Sequence, residues 1–335
     1  ATIVKSIAVI GNYQSEISEA VYFVGFQDKP GYDNVKIMSM IINPNDFFSN
    51  EGIYVVGTLA GEPIEGESYN PGNYPANYNI ESKEMRKNAS ITLWDSERNL
   101  IAEEDLLVGM HGGWSKSYRQ KGFNFYNLNN YSPSAYGFDS YMLRTSGARD
   151  TFQTMFRDVL NQELVNNRNM AIQASSPCIL FLNGEYWGIY NLQQRHSKSY
   201  FANEFGIAED NIICIKCDTV AQGEESDIEY YRELIRFAVD NDMSIDENYQ
   251  QLGEMMDIQS FIDYNCFQCY IANMDWPVNN YCCFRSRRIN PNSAYEDGKW
   301  RWAPYDTDDS TNVDITFPIM GRPDSNPFTY EAHWD

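Results

Sequence analysis

The stretch PCILFLNGEYWGIYNL, residues 177–192, constrains the fold more than any other. Two runs rich in β-branched, aromatic and other apolar residues flank Asn183-Gly184, the dipeptide that supplies the positive φ angles of a type I′ turn, so the segment reads as a β-hairpin. Nothing in it offers chemistry beyond structure. Around it, SEAVYFVGF (18–26), VKIMSMII (35–42) and GIYVVGTL (52–59) alternate as short strands, and Pro, Gly and Asn clusters separate them. A long polar loop is expected near 61–80. NASITLWD (88–95), EDLLVGMHG (104–112) and QKGFNFYNL (120–128) continue the strands.

The period then changes. In DTFQTMFRDVLNQELVNN (150–167), Phe152, Met155, Phe156, Val159, Leu160 and Leu164 fall at helical spacing, with Asp150 placed to cap. DIEYYRELIRFAV (227–239) and DIQSFIDYNCFQCYIAN (257–273) show the same i, i+3, i+4 pattern, with aspartates at the front where the helix dipole favours them. NYCCFRSRR and KWRWAPYD return to strands, joined by the polar loop INPNSAYEDG. The chain therefore reads as α+β, and its 335 residues suit one large two-lobed domain or two domains.

Charge narrows the function. With 47 Asp and Glu against 25 Lys and Arg, the net charge of −22 repels a polyanion, so no nucleic-acid partner is expected. A nucleotide remains compatible, provided divalent metal screens its phosphates. No apolar run approaches the roughly 18 residues of a membrane span, and the first residues lack the pattern of a signal peptide. The seven cysteines are too few and too scattered for a disulfide scaffold. Cys214 with Cys217 and Cys266 with Cys269 have zinc-like spacing, but they lie in a strand pattern and a helix pattern rather than in turn-rich knuckles.

Chemistry concentrates at two junctions. Asp275 follows a helix pattern in NMDWPVNN, and Asp306 and Asp308 follow a strand pattern in PYDTDDS. The intervening hairpin should bring these loops back together. Clusters of carboxylate and amide oxygens suit Mg²⁺ or Mn²⁺. Phosphoryl transfer needs such a metal and a carboxylate to orient the attacking hydroxyl. In protein kinases the catalytic Asp precedes a metal-binding Asn by five residues, and a metal Asp follows a strand hairpin. Here Asn280 lies five residues after Asp275, and Asp306 follows the hairpin. The alternation of Asp306, Asp308, Ser310, Asn312 and Asp314 also suggests a calcium loop, but Thr311 and Phe317 replace the Gly and Glu of an EF-hand.

NPNDFFSNEGIYVVG, GMHGGWSKSYRQKGFNFY, LRTSGARDTFQTMFRDVLNQELV, FLNGEYWGIYNL, CYIANMDWPVNNYCCF and WRWAPYDTDDS occur in an order and spacing that resembles the spore coat protein H (CotH) kinase family, over about residues 43 to 310. The resemblance implies a secreted or cell-surface, atypical protein-kinase-like fold with two lobes, a β-rich N-terminal part and a helical C-terminal lobe. Residues 1–90 would form an extension or accessory region, 91–225 the N-lobe and 226–335 the C-lobe.

The implied activity is transfer of phosphate from ATP to Ser or Thr of extracellular proteins, in spore coats or cellulosomal assemblies. Asp275 would be the catalytic aspartate. Asn280, with Asn279, and Asp306 would bind metal, and Asp308 would support them. Lys121 would contact nucleotide phosphates, beside the Gly112, Gly113 and Ser115 turn. Two positions depart from the family pattern: His111 replaces an arginine, and Gln194 replaces the glutamate expected after the hairpin. An amide holds a lysine less tightly than a carboxylate does. The alternative reading is accordingly a pseudokinase, an acidic, aromatic-rich module binding protein or polysaccharide.

Overall fold

Most alternating runs in the first half of the chain become β-strands, and the helical period beyond residue 225 becomes helices. The computed structural model describes residues 1–25, 31–32, 34–62, 70–72, 74–128, 136–147, 150–277 and 279–311. The chain divides into two units, Ala1–Thr145 with Ser175–Gln193, and Ser146–Ala174 with Gln194–Asp335. Its class is α+β.

The first unit holds strands β1 (Thr2–Ser6), β2 (Val9–Ile10), β3 (Tyr13–Gln14), β4 (Ser18–Tyr22), β5 (Lys36–Ile42), β6 (Lys87–Trp94), β7 (Leu100–His111), β8 (Gly122–Tyr126), β9 (Tyr141–Arg144), β10 (Ser175–Leu182) and β11 (Glu185–Gln194, of which Gln194 itself belongs to the second unit), and the short helix α1 (Pro44–Phe48). Seven of them join in the order β10-β11-β9-β8-β7-β6-β5. β10 also pairs in parallel with β5, Ile179 opposite Ile37, which closes the sheet. Closure leaves no unpaired edge. Met38, Met40, Ile91, Leu93, Val108, Phe123, Phe125 and Leu180 form its buried core. Phe123 lies 5.9 Å from the rings of Phe47 and Tyr190. Phe123→Ala is expected to cost about 3–5 kcal/mol, measurable as a lower urea midpoint for the unfolding of this unit.

The hairpin forms where the sequence places it. Asn183 and Gly184 take φ of 48° and 86° between β10 and β11, as a type I′ turn requires. Asn183 Oδ1 also accepts the Ile42 amide at 2.9 Å, and its own amide donates to Met40 O, so the turn is tied to β5. GIYVVGTL is not a strand. The amides of Ile53 and Tyr54 donate instead to Asp46 and Phe47 of α1, and buried Asn77 bonds to the carbonyls of Asn50 and Gly52 and to the Leu59 amide. These local partners leave no strand ladder to form. Residues 63–69 and 73 of the expected polar loop lie outside the described residues.

The second unit holds α2 (Arg157–Glu163), α3 (Lys198–Phe205), β12 (Ile212–Lys216), β13 (Thr219–Gln222), α4 (Ile228–Asp240), α5 (Asp246–Met255), α6 (Ile258–Tyr270), β14 (Cys282–Ser286) and β15 (Arg301–Trp302). Its sheet runs β13-β12-β14-β15, and β14 pairs antiparallel with β15 as the sequence suggests. Ile213, Ile215, Phe267, Ile271, Trp276, Trp300 and Trp302 share one core. Asp257 caps α6, its carboxylate accepting the Ser260 amide at 3.0 Å.

The helix expected over 150–167 is shorter. Asp150 opens a single 3₁₀ turn, Met155 takes φ +62°, and α2 starts only at Arg157. Asp150 holds that break in place, accepting the amides of Thr154 and Arg157. The faces are also inverted: Arg157, Asp158, Asn161 and Gln162 are buried, whereas Phe156, Leu160 and Leu164 are exposed. The buried polar groups are matched by hydrogen bonds, which lets them occupy the interior.

Candidate functional site

Helix α6 delivers the first part of the site. Its last turn leads into residues 271–280, where the Asn279 amide donates to Asp275 O at 3.1 Å. The Asp275 carboxylate accepts Asn279 Nδ2 at 2.9 Å on one oxygen and Asn280 Nδ2 at 2.8 Å on the other. Asn280 Nδ2 also donates to Asp306 O at 3.1 Å. That bond joins the loop after α6 to the loop after β15. Two main-chain bonds reinforce the junction, Met274 N to Asp309 O at 2.8 Å and Thr311 N to Ile271 O at 2.7 Å. Asn280 and Asp306 both adopt positive φ, 56° and 53°, a strained conformation for residues with side chains.

Electrostatics single out Asp275. Burial pushes its carboxyl above the ordinary carboxylate range, the negative charges of Asp306 and Asp309 push the same way, and the amides of Asn279 and Asn280 oppose them. A carboxylate with raised proton affinity can take a proton from a hydroxyl more readily than an ordinary one. The side-chain oxygens of Asn279, Asn280 and Asp306 are hard donors that suit Mg²⁺ or Mn²⁺. Among the described residues no three carboxylates, thiols or imidazoles converge on one cation position. Such a metal would take its remaining oxygens from phosphate and water.

In the first unit, the candidate residues share the turn from β7 to β8. Gly112 sits at φ +115°, and a Cβ there would fall 2.1 Å from Ser115 Oγ, so the turn admits only glycine. Gly113 precedes the 3₁₀ turn Trp114–Ser117. His111 Nδ1 lies 3.1 Å from Asn124 Oδ1 while Asn124 Nδ2 donates to Met110 O, which assigns the proton to Nδ1. Lys121 is buried. Its ammonium donates to the carbonyls of Lys116 and Tyr118, the latter at 2.7 Å, and stands 4.2 Å from the Tyr78 ring centre. Burial lowers its pKa to about 8.

A family model described as CotH kinase protein matches residues 108–334. The chain belongs to the CotH kinase family. No curated protein matches it. Membership of a kinase family brings ATP and divalent metal use in general terms.

Within this CotH chain the candidate residues separate. Asp275, Asn279, Asn280 and Asp306 come together. Asp308 is fully buried, its two oxygens accept the Ser146 hydroxyl and the Gly147 amide, each at 2.7 Å, and Arg157 Nη1 donates to its carbonyl at 2.9 Å. Gln194 has both ends of its amide engaged, Oε1 with the Ala174 amide at 3.0 Å and Nε2 with Glu204 at 2.6 Å. Cys214 Sγ lies 3.4 Å from Cys282 Sγ, whereas Cys217 Sγ faces the Tyr305 hydroxyl. Asn312, Asp314 and Phe317 of the calcium-like spacing lie outside the described residues.

Sequence reasoning missed Asp309, which acts on Asp275 through its charge and holds Met274 through its carbonyl. It also missed Asn273, whose Oδ1 accepts the Asp275 amide at 3.1 Å. An Asn two residues ahead of the candidate Asp is the signal that was available, because Asn side chains bond main-chain amides two residues on.

Proposed function

We propose that the chain is a CotH-type protein kinase, transferring the γ-phosphate of ATP to Ser or Thr hydroxyls of secreted or surface proteins. One observation carries this reading. Asp275, with raised proton affinity, is held by Asn279 and Asn280, and Asn280 is bonded in turn to Asp306. In the reaction the acceptor hydroxyl would give its proton to the Asp275 carboxylate as its oxygen bonds to the γ-phosphorus and the bond to the β-phosphate oxygen breaks, releasing ADP. Asp306, Asn280 and Asn279 would hold Mg²⁺ or Mn²⁺, which neutralises charge on the transferring phosphate. Asn279 and Asn280 fix the orientation of the carboxylate, and positioning is most of what phosphoryl transfer asks of a protein.

The two-lobed, kinase-like form of the fold, secretion, and a place in a spore coat, cell surface or cellulosome belong to the same proposal, supported by the family. Lys121, Gly112, Gly113 and Ser115 are proposed as nucleotide-phosphate contacts. No helix among the described residues is long and apolar enough to cross a membrane. The proposed partners are protein substrates rather than nucleic acid, consistent with the charge of −22.

A pseudokinase is the second reading. What favours it is Gln194, whose amide is engaged with Ala174 and Glu204, together with Lys121, whose ammonium is already bonded to two carbonyls. ATP binding and phosphate transfer are measured separately to decide between the two. ATP with Mn²⁺ at about 100 times its Kd should stabilise the native chain by ~2.7 kcal/mol, read as a rise in Tm. Asp306→Ala should lose most of that rise and all transfer of labelled phosphate. Binding without transfer in the wild type selects the pseudokinase, and equal transfer by wild type and variant ends the kinase reading.

A further inference from the structure

The end of α6 is built more elaborately than a helix stop requires. Ala272 takes φ +48°, its amide donates to Cys269 O at 3.1 Å, and the Asn273 amide reaches back to Gln268 O at 3.2 Å. Those two bonds complete a Schellman stop. A second, side-chain layer lies on this main-chain one. Asn273 Nδ2 donates to Gln268 Oε1 at 2.9 Å, and Asn273 Oδ1 accepts the Asp275 amide at 3.1 Å. Gln268 therefore holds Asn273 through both its main-chain and its side-chain carbonyl, and Asn273 passes that constraint to Asp275.

Both side chains are buried, Gln268 at 0% and Asn273 at 1% exposure. An apolar side chain at 268 would fill the helix face without desolvating an amide. Among the described residues Gln268 Nε2 has no acceptor in hydrogen-bond geometry. A buried, unmatched donor opposes folding. What Gln268 contributes is its Oε1. The far end of the loop is held from the same helix, because Tyr264 OH donates to Asn280 O at 3.3 Å.

We propose that Asn273 and Gln268 are positioning residues for phosphate transfer, locking the Asp275 main chain to the end of α6 and so aiming its carboxylate. The inference rests on Asp275 as the carboxylate that orients the acceptor. A flexible loop would leave that carboxylate to sample many directions, and displacement of a reacting group by about 1 Å can cost 10²-fold in rate.

The test uses the full chain with Asn273→Ala, Asn273→Asp and Gln268→Leu. Amide hydrogen exchange of residues 273–276 is measured beside kcat, the KM for ATP and Tm. Asn273→Ala should speed exchange at the Asp275 amide about tenfold or more while the α6 amides keep their protection. Its kcat should fall by about 10²-fold with the KM for ATP unchanged. Asn273→Asp keeps an oxygen for the Asp275 amide, and the Gln268 amide can turn to donate to it, so protection should return. Gln268→Leu should lower kcat without lowering Tm, an outcome that a purely structural role does not produce. Unchanged exchange in Asn273→Ala overturns the proposal, as does unchanged kcat in a chain whose wild type is active. A wild type that transfers no phosphate counts against the role of Asp275, and the exchange data then still decide whether Asn273 and Gln268 hold the loop.

Discussion

Asp275→Asn is expected to reduce phosphate transfer by about 10²–10⁴-fold and, once the exposed Asn279 amide turns its oxygen to the new NH2, to leave the folded protein at least as stable at neutral pH. Both effects follow from one physical state. Burial, reinforced by the charges of Asp306 and Asp309, raises the proton affinity of this carboxyl in the folded chain above its unfolded value. At neutral pH the ionised group therefore opposes folding. As pH falls through the raised folded pKa the proton is bound more tightly in the folded state, and the opposition disappears. The amide variant removes the charge at every pH. It also removes the group proposed to take the proton.

Melting curves at pH 7 and pH 5, run beside the transfer assay, check this. The wild type should gain stability relative to Asp275→Asn as the pH is lowered through the folded pKa, and its activity should decline at a higher pH than an ordinary carboxylate near 3.9 would allow. A variant that melts well below the wild type at pH 7 makes Asp275 a structural acid, and one that still transfers phosphate removes it from the reaction.

How much of this was legible in the sequence depended on whether the decisive partners were local. Asn183-Gly184 specifies its own turn through φ preferences, and the strand hairpin 282–302 follows from alternation. Asp275 and Asn280 were readable because five residues separate them, and Asp306 because the intervening hairpin returns the chain. The misreadings had non-local causes. Phe152, Phe156, Leu160 and Leu164 repeat as a core-facing helix would. The interior instead takes Asp158 and Asn161, matched by Thr307 and Ser310 nearly 150 residues along the chain. GIYVVGTL alternates like a strand but is bonded to α1 and Asn77. Periodicity reports which residues are apolar. It does not report which polar residues will find partners.

Asp308 shows the same limit, and Asp308→Ala tests it. The resemblance places this residue with the metal aspartate Asp306, two positions earlier. The structure surrounds it with the Ser146 hydroxyl, the Gly147 amide and, at its carbonyl, Arg157. Ser146 Oγ lies 2.7 Å from both Asp308 and Asp150, so its single proton is shared between the two carboxylates; at Asp150 burial raises the carboxyl pKa, but bonds from Thr154, the Arg157 amide and Ser146 outweigh it and hold it below the ordinary range. Removing the Asp308 carboxylate would strand the buried Gly147 amide and take one of two acceptors from Ser146, so a loss of about 1–3 kcal/mol is expected. At about 2–4 °C per kcal/mol for a chain of this order, Tm should fall by roughly 5 °C. Asp306→Ala should behave oppositely, with little change in the Tm of the apo protein and loss of the rise caused by ATP and Mn²⁺. If Asp308→Ala instead keeps its apo Tm and loses that rise, Asp308 belongs with the metal ligands, and the contacts to Ser146 and Gly147 contribute little to folding.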